Sequence, residues 1–203
     1  MTWDPNNNHF NNFGYDRDIN SFCRTGNNSP NSAHREDFVN YINDGDTFLD
    51  VGCGSAADWE ILVRFGKKVK YKGLDYANSI LEATKKLYPE LEFELADINN
   101  LQEKDNSWDV VSCRHVIDHC EYYEQPIREL LRVAKKKVII TMWVGFPDDD
   151  TDAINKSGEY NWLNRYGKTK FMRFLNSLPA KVETFEENHK GSFEIFIVLN
   201  KNG

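Results

Sequence analysis

Apolar positions along the chain follow two spacings, and their alternation predicts strands separated by helices. Short apolar runs are typical of buried strands, and they occupy residues 47–51, 69–74, 91–95, 108–113, 138–143, 181–186 and 193–199. Helical spacing or helix boundary residues mark 31–42, 58–65, 78–88, 124–133 and 168–177. Strands that alternate with helices predict βαβ units and a parallel sheet.

The end of the chain breaks this alternation. Only residues 187–192 separate the last two predicted strands, which is too short for a crossover helix, so these strands should form an antiparallel hairpin. The predicted fold class is therefore α/β, with a Rossmann-like doubly wound sheet that is mostly parallel. We expect one domain over residues 1–203, with 1–31 as an N-terminal arm or lid and 144–167 as an insertion on the substrate side.

Composition narrows the function classes. The net charge of −7 gives no general attraction to a nucleic-acid backbone, and we interpret the compact basic run at 135–137 as a solvated turn before a strand. No apolar run reaches the length of a membrane span, and the polar N-terminus lacks a secretory signal, which predicts a cytoplasmic protein. The four cysteines form no CxxC pair and should be free thiols.

The strongest local motif is the segment 50–57, which reads DVGCGSAA between a predicted strand and a predicted helix. Its glycines allow a tight turn and close approach of a ligand, and the string also fits a relaxed dinucleotide pattern. Asp50 argues against a dinucleotide, because its carboxylate would oppose a pyrophosphate at the helix N-terminus. S-adenosylmethionine (SAM) carries an ammonium and a sulfonium instead, so it tolerates this acid.

Further motifs follow in a characteristic order: LDVGCGSA at 49–56, KYKGLDY at 70–76, ADI at 96–98, WDVVSCRHVIDH at 108–119 and VIIT at 138–141. Over residues 32–200 this series resembles the class I SAM-dependent methyltransferases, type 11-like and related to the ubiquinone and menaquinone enzymes. The resemblance implies their seven-stranded fold. Two departures are Ala56 in place of a third glycine, and residues 134–137 in place of a Pro-Gly-Gly turn.

The resemblance implies SAM as the cofactor and a set of residues that hold it. Asp75 would bind the ribose hydroxyls, Asp97 the adenine amino group and the Ile98 backbone a ring nitrogen, while Tyr76 would stack on the adenine. The full predicted cofactor set is Asp50, Gly52, Cys53, Gly54, Asp75, Tyr76, Asp97, Ile98 and Cys113. Structural alternatives are a helix cap for Asp75, core packing for Tyr76 and a turn cap for Asp97.

The segment after the fourth strand should face the transferred methyl group. His115 and His119 are four residues apart and would share a face on a helical turn, so either is a candidate general base, with Asp118 to orient a histidine or hold the substrate. The alternative for His119 is a structural role. Two cysteines and two histidines also lie within eight residues, but one contiguous turn rarely surrounds an ion, so no metal is predicted.

Residues around the insertion are candidates for the acceptor pocket, with ordinary loop packing as the alternative. The predicted substrate-binding residues are Arg114, Trp143, Tyr160 and Arg165, and Trp162 and Tyr166 lie beside them. In the arm, Tyr15, Arg17 and Arg24 are candidates to close over SAM or to bind its carboxylate.

The sequence therefore predicts methyl transfer by in-line displacement to oxygen or nitrogen of a small molecule or glycan precursor. Neither an NPPY- or DPPY-type tetrad nor a broad basic face is present, so no nucleic-acid partner is expected, and none at a membrane. Two alternatives stay open: a catalytically silent SAM-binding module and an NAD-dependent oxidoreductase.

Overall fold

The computed structural model describes residues 35–156, 162–191 and 193–201. These residues form two compact units, which divide after Ile98. Residues 1–34, 157–161, 192 and 202–203 lie outside the description, and with them the predicted arm and Tyr160. In the part of the chain that is described, no helix is both long and apolar enough to cross a bilayer.

The first unit is a three-stranded parallel sheet with two helices. Its elements are β1 (Thr47–Val51), α1 (Ala57–Arg64), β2 (Lys70–Asp75), α2 (Asn78–Leu87) and β3 (Glu92–Leu95). β2 pairs with β1 on one side and β3 on the other, and Gly73 is the residue that faces both Asp50 and Phe93. The parallel pairing places the ends of β1 and β2 next to each other, where the glycine motif begins.

Apolar residues on one face of each helix form the core of this unit. Ile61 and Leu62 on α1 and Ile80 and Leu81 on α2 are buried, as the helical spacing predicts. The aromatic ring of Tyr71 on β2 contacts the rings of Phe48, Trp59 and Phe93, with centroids 6.1, 5.3 and 6.1 Å away. Aromatic side chains from all three strands thus pack against one another in the core of the unit.

The second unit is a mixed four-stranded sheet. Its elements are β4 (Trp108–Arg114), α3 (Glu124–Val133), β5 (Ala134–Met142), α4 (Lys168–Ser177), β6 (Lys181–Glu186) and β7 (Ile195–Asn200). β4 and β5 pair in parallel, whereas β7 runs antiparallel to β5 and β6. Short 3-10 helices occupy Ile117–His119 and His189–Gly191.

Within the first unit the strands follow the order β3-β2-β1, and within the second they follow the order β4-β5-β7-β6. β7 is the strand that reverses direction, as expected from the short connection between β6 and β7. The predicted fold class, a mostly parallel sheet that ends in an antiparallel hairpin, is confirmed.

The interpretation of residues 135–137 as a turn is wrong, because these lysines lie inside β5. Two of these lysines form ion pairs with acidic residues: Lys136 Nζ lies 3.0 Å from Asp109 Oδ1, and Lys137 Nζ lies 3.0 Å from Glu183 Oε2. Cross-strand pairs of opposite charge make a basic run compatible with a strand.

The helix predicted at 31–42 also differs from the structure. In the described part of this range, the chain forms a 3-10 helix at Asp37–Tyr41. It buries Phe38 and Val39, and the ring of Phe38 lies 6.0 Å from that of Phe48 on β1. Packing on the sheet therefore decides this backbone, because so short a segment has little helical stability of its own.

Gly73 gives a first prediction. A Cβ atom there would lie 2.6 Å from the ring of Phe93 and 2.8 Å from Cys53 Sγ, so Gly73→Ala should destabilise the protein by about 1–3 kcal/mol through overpacking. Chemical denaturation measures the change. Gly145→Ala is the control, because the nearest atom to its Cβ would be 3.5 Å away. Equal stability of the two variants would contradict this packing.

Candidate functional site

The glycine motif forms a tight turn between β1 and α1. Gly52, Gly54 and Ala56 have φ angles of 79°, 51° and 60°, a region that glycine enters at little cost. The backbone amides of Gly52 and Cys53 donate to the carbonyl oxygen of Leu74, over 2.7 and 2.9 Å. The turn is therefore tied to the last residues of β2.

Two side chains hold the backbone of Gly54. Its amide donates to Oδ2 of Asp75 over 2.8 Å, and its carbonyl oxygen accepts a hydrogen bond from Oγ1 of Thr84, also over 2.8 Å. Asp75 Oδ1 accepts the amide of Ala77 at the start of α2, 2.9 Å away. The N-cap of α2 is Ala77 and no side chain caps the helix, so Asp75 is not a helix cap. Asp75 instead links the glycine turn to the residue that precedes α2.

The surroundings of Gly54 and Asp75 fit a nucleoside. A Cβ atom on Gly54 would meet no heavy atom within 4 Å, so the turn faces open space. The Asp75 carboxylate accepts the amides of Gly54 and Ala77, and the Tyr76 amide also bonds to it. A carboxylate has about four lone-pair sites, so it can still accept a hydrogen bond from a ribose hydroxyl. Burial raises the pKa of Asp75, and its backbone hydrogen bonds oppose that rise.

The other predicted cofactor residues of this unit are either half-buried or buried. Tyr76 and Asp97 are half-buried after β2 and β3, and Ile98 is buried. Asp50 is buried inside β1, and its Oδ2 accepts a hydrogen bond from the hydroxyl of Tyr71 over 2.8 Å. Burial and the Asp50 carboxylate raise the pKa of Tyr71 well above its ordinary value.

The side chains of Asp50 on β1 and Cys53 in the glycine turn are both buried. Cys53 is buried beside Gly73, which leaves no room there for a larger residue. Sequence reasoning missed two further supports, namely Thr84 and a buried ion pair between Arg35 and Asp58 in the first turn of α1. A threonine on a helix and a distant arginine carry no local signal of such contacts.

In the second unit, the segment after β4 leaves the strand abruptly. Cys113 and Arg114 are buried at the end of β4, and His115 then takes a left-handed backbone with φ of 56°. The His115 amide donates to the carbonyl oxygen of Thr141, and its Nε2 lies 2.8 Å from Glu194 Oε1. Glu194 was not among the predicted residues.

Asp118 lies in the 3-10 turn and is fully buried. Its Oδ2 accepts the amide of Trp143 and its carbonyl oxygen accepts the amide of Asn164, both over 2.9 Å. Burial raises the pKa of Asp118 to about 7, helped slightly by the charge of Glu194. Asp118 therefore joins three separate segments of the unit.

The two histidines do not share a helical face, so that expectation is wrong. His119 Nδ1 lies 2.8 Å from the carbonyl oxygen of Trp162, whereas His115 contacts Glu194. The cause is local, because the left-handed backbone at His115 precedes a 3-10 helix of only three residues.

The predicted substrate residues have different surroundings. Trp143 is 49% exposed, which leaves half of its surface for contact with a ligand. Arg165 donates to the carbonyl oxygens of Gly145 and Phe146, over 3.0 and 2.7 Å. Tyr166 is buried, and its hydroxyl donates to carbonyl oxygens of the segment after β4. No group of three or more His, Cys, Asp or Glu side chains placed to hold a metal occurs in the described ranges.

A known protein family matches the part of the chain that contains the glycine turn and the segment after β4. Residues 49–142, from β1 to the end of β5, match the family model described as "Methyltransferase domain". Residues 49–142 are a methyltransferase domain. The match confirms the predicted enzyme class, a SAM-dependent methyltransferase, and SAM as its cofactor. No protein with a curated description matches the sequence.

Solved structures show the same fold. Magnesium protoporphyrin IX methyltransferase from Synechocystis, solved with bound SAM, is 15% identical with a TM-score of 0.69, over 96% of this methyltransferase and 94% of that chain. A SAM-dependent methyltransferase from Aquifex aeolicus is 18% identical with a TM-score of 0.65, over 98% and 99%. The [4+2]-cyclase SpnF is 15% identical with a TM-score of 0.65, over 82% and 80%.

The Thr84 contact gives a second prediction. Thr84→Val keeps a similar volume but removes the hydroxyl that donates to the Gly54 carbonyl oxygen. The loosened turn should weaken binding of S-adenosylhomocysteine, the demethylated product of SAM, by about 5- to 30-fold, or about 1–2 kcal/mol, as measured by calorimetry. The control is Ser177→Ala, which removes a hydroxyl bonded to the carbonyl oxygen of Phe174 on α4. Unchanged affinity of the Thr84 variant would count against the role of Thr84.

Asp118 gives a third prediction, on pH. Because folding raises the pKa of this acid to about 7, the folded state holds a proton that the unfolded state loses near pH 4. The resulting stability is present at low pH and is lost as the pH rises through about 7. Urea unfolding of the wild type should therefore show stability that falls between pH 5 and 8, and Asp118→Asn should flatten this slope.

The control for that measurement is Asp152→Asn. Its contacts with Lys170 and the Gly167 amide lower the pKa of Asp152, so it stays ionised over the same range. The Asp152 variant should keep the wild-type slope between pH 5 and 8. A wild-type slope in the Asp118 variant would show that Asp118 is not the titrating group.

Proposed function

We propose that this methyltransferase moves the methyl group of SAM to oxygen or nitrogen of a small-molecule or glycan acceptor. The observation that carries the proposal is the clamp on Gly54, in which the Asp75 carboxylate and the Thr84 hydroxyl hold a glycine turn that faces open space. A carboxylate at this point suits a neutral ribose and disfavours a phosphate.

The adenosine end of SAM has its binding groups within the first unit. Asp75 accepts a hydrogen bond from the ribose hydroxyls, since its carboxylate has about four lone-pair sites and the backbone amides of Gly54, Tyr76 and Ala77 use three of them. The half-buried ring of Tyr76 packs against the adenine. Asp97 accepts a hydrogen bond from the adenine amino group, and the Ile98 amide donates a hydrogen bond to a nitrogen of the adenine ring. Gly52 and Gly54 allow the close approach of the nucleoside to the backbone.

Bound SAM supplies a methyl group that is already activated by the sulfonium. The protein then has to align an acceptor behind the methyl and keep water away, and alignment alone contributes several kcal/mol, roughly 7–11 at best. We assign acceptor contacts to Trp143, whose side chain is half exposed, and to Arg114 at the end of β4. Arg165 supports them by holding the backbone after Trp143.

The hydrogen bonds of the two histidines support a role for either as a general base. A carbonyl oxygen can only accept, so His119 Nδ1 carries the proton in its bond to Trp162 and Nε2 is the basic nitrogen. His115 is held through its other ring nitrogen, since its Nε2 lies 2.8 Å from Glu194 Oε1. Asp118, fully buried, holds these segments in place.

Calorimetry on Asp75 variants tests the cofactor site. The wild type should bind SAM and S-adenosylhomocysteine but not NAD. Asp75→Asn should lose at least about tenfold in affinity, because an amide cannot accept both the Gly54 and Ala77 amides and still receive a ribose hydroxyl. Asp44→Asn is the control, since Asp44 also accepts a backbone amide but lies on the surface. Heat with NAD and none with SAM would overturn the assignment.

Labelled SAM tests the transfer itself. The wild type is incubated with methyl-labelled SAM and a panel of small metabolites and glycan precursors, and label should appear in one class of product. Binding of SAM without label in any product would favour a catalytically silent module. Label in RNA or protein alone would overturn the proposed acceptor class.

A further inference from the structure

One arginine at the surface of the second unit is held in place before any ligand arrives. The backbone of Arg165 pairs with that of Ala153 through hydrogen bonds of 3.0 and 2.8 Å. Its side chain donates from Nε to the carbonyl oxygen of Gly145 over 3.0 Å, and from Nη2 to that of Phe146 over 2.7 Å. An arginine fixed at both its backbone and its guanidinium loses little conformational freedom when it binds a ligand.

The loop that holds this guanidinium is itself anchored. The ring centroid of Phe146 lies 5.7 Å from that of Phe171 on α4 and 6.1 Å from that of Phe185 on β6. Gly145 lies against the residues before β7, since a Cβ atom on it would be 3.5 Å from the carbonyl oxygen of Phe193. Packed elements of the unit therefore set the position of the guanidinium, as a preformed binding site requires.

Arg165 has donors and charge left for a ligand. A guanidinium has five N–H donors, and the two carbonyl oxygens of the loop use two of them. Carbonyl oxygens carry no net charge, and within the described ranges Arg165 forms no ion pair. The nearby acid is Asp149, which is exposed; hydrogen bonds with Thr151 lower the pKa of Asp149, and the charge of Arg165 lowers it further.

Two exposed aromatic side chains accompany the guanidinium. Trp143 precedes Gly145 by two residues and is 49% exposed, and Phe193, whose carbonyl oxygen lies beside Gly145, is 79% exposed. The other tryptophans in the described part of the chain are half-buried or buried: Trp59, Trp108 and Trp162. Exposed apolar rings that lie close together mark an interaction site, and an aromatic face packs well against another planar ring.

We infer that Arg165 and Trp143 form a binding site for a planar carboxylic acid, and that the acceptor belongs to this class. This inference rests on the proposed function, which it narrows. The planar fork of a guanidinium matches a carboxylate through two parallel hydrogen bonds. The indole of Trp143 and the ring of Phe193 supply apolar contacts to the body of the acid. All three residues belong to the second unit, so the site is complete within it.

Neutral sugars and phosphates fit this surface less well. A neutral sugar offers no negative charge to Arg165. A phosphate carries up to about two negative charges, and it would bring them close to Asp149. Asp148 and Asp150 flank Asp149 in the chain and are also exposed, so a second negative charge on the ligand would be repelled. The charges of this surface therefore favour a ligand with a single negative charge.

Binding of model acids to the whole protein tests the site without methyl transfer. The probes are naphthoate, its uncharged analogue naphthamide, and cyclohexanecarboxylate, which has the charge but no planar ring. In nitrogen NMR, naphthoate should shift the indole N–H signal of Trp143, which the spectrum of Trp143→Phe identifies. Its affinity should exceed that of either analogue by at least about fivefold. No shift of this signal, or equal affinity of naphthoate and naphthamide, would overturn the inference.

Two variants separate the contributions of charge and ring. Arg165→Gln should weaken naphthoate binding about tenfold and change naphthamide binding by less than about twofold, because only the carboxylate uses the guanidinium. Trp143→Ala should weaken binding of both aromatic probes by about threefold or more. The control is Arg173→Gln, which removes an exposed arginine from α4 and should leave every affinity unchanged. Equal effects of the two arginine variants on naphthoate would overturn the role of Arg165.

Transfer from labelled SAM distinguishes this inference from the proposed function. The panel contains planar hydroxy- and amino-substituted carboxylic acids, their amides, and neutral sugars. Label should appear in the acids, and Arg165→Gln should raise the KM for the labelled acid about tenfold, with unchanged affinity for S-adenosylhomocysteine. Label confined to amides or neutral sugars would overturn the inference and leave the proposed function in place. If no acceptor is labelled, the proposed function fails together with the acceptor class, while the naphthoate experiment separately decides whether the site binds acids.

Discussion

The first unit depends on how one peptide is held. Gly54 lies at a turn whose backbone suits glycine, and its amide and carbonyl are bound by Asp75 after β2 and Thr84 on α2. Parallel pairing of β1 with β2 brings these residues together, since it places the ends of both strands at one edge. The same contacts leave space in front of the turn and a carboxylate beside it, which is the basis of the proposed SAM site.

The second unit is organised by buried polar contacts instead. Asp118 binds the Trp143 amide, and Asn164 and Tyr166 bind carbonyl oxygens of the segment after β4. Buried polar groups are costly unless they are paired, so these bonds fix the segment firmly. Two aspartates of the acidic insertion also bind the start of α4: Asp150 accepts the Thr169 amide and Asp152 the Gly167 amide, both over 2.8 Å. The insertion is thereby anchored to the unit.

The predictions from sequence were best where a feature is local. Repeating apolar positions gave the helices at 124–133 and 168–177 without error, and the glycine motif marked the turn after β1. They failed where distant partners decide the structure. Lysines at 135–137 join β5 because acids on other strands accept their charge, and residues 37–41 form a 3-10 helix because Phe38 packs on Phe48.

The sequence by itself determined the fold class, the family and the position of Asp75, because hydrophobic periodicity and the spacing of glycines and acids are properties of neighbouring residues. Only the tertiary structure decided which groups the histidines contact. His115 meets Glu194 and His119 meets Trp162 because strand pairing and an irregular loop bring residues 79 and 43 positions apart into hydrogen-bond distance. Such long-range contacts leave no periodic pattern in the chain, so the assignment of roles within the site had to come from geometry.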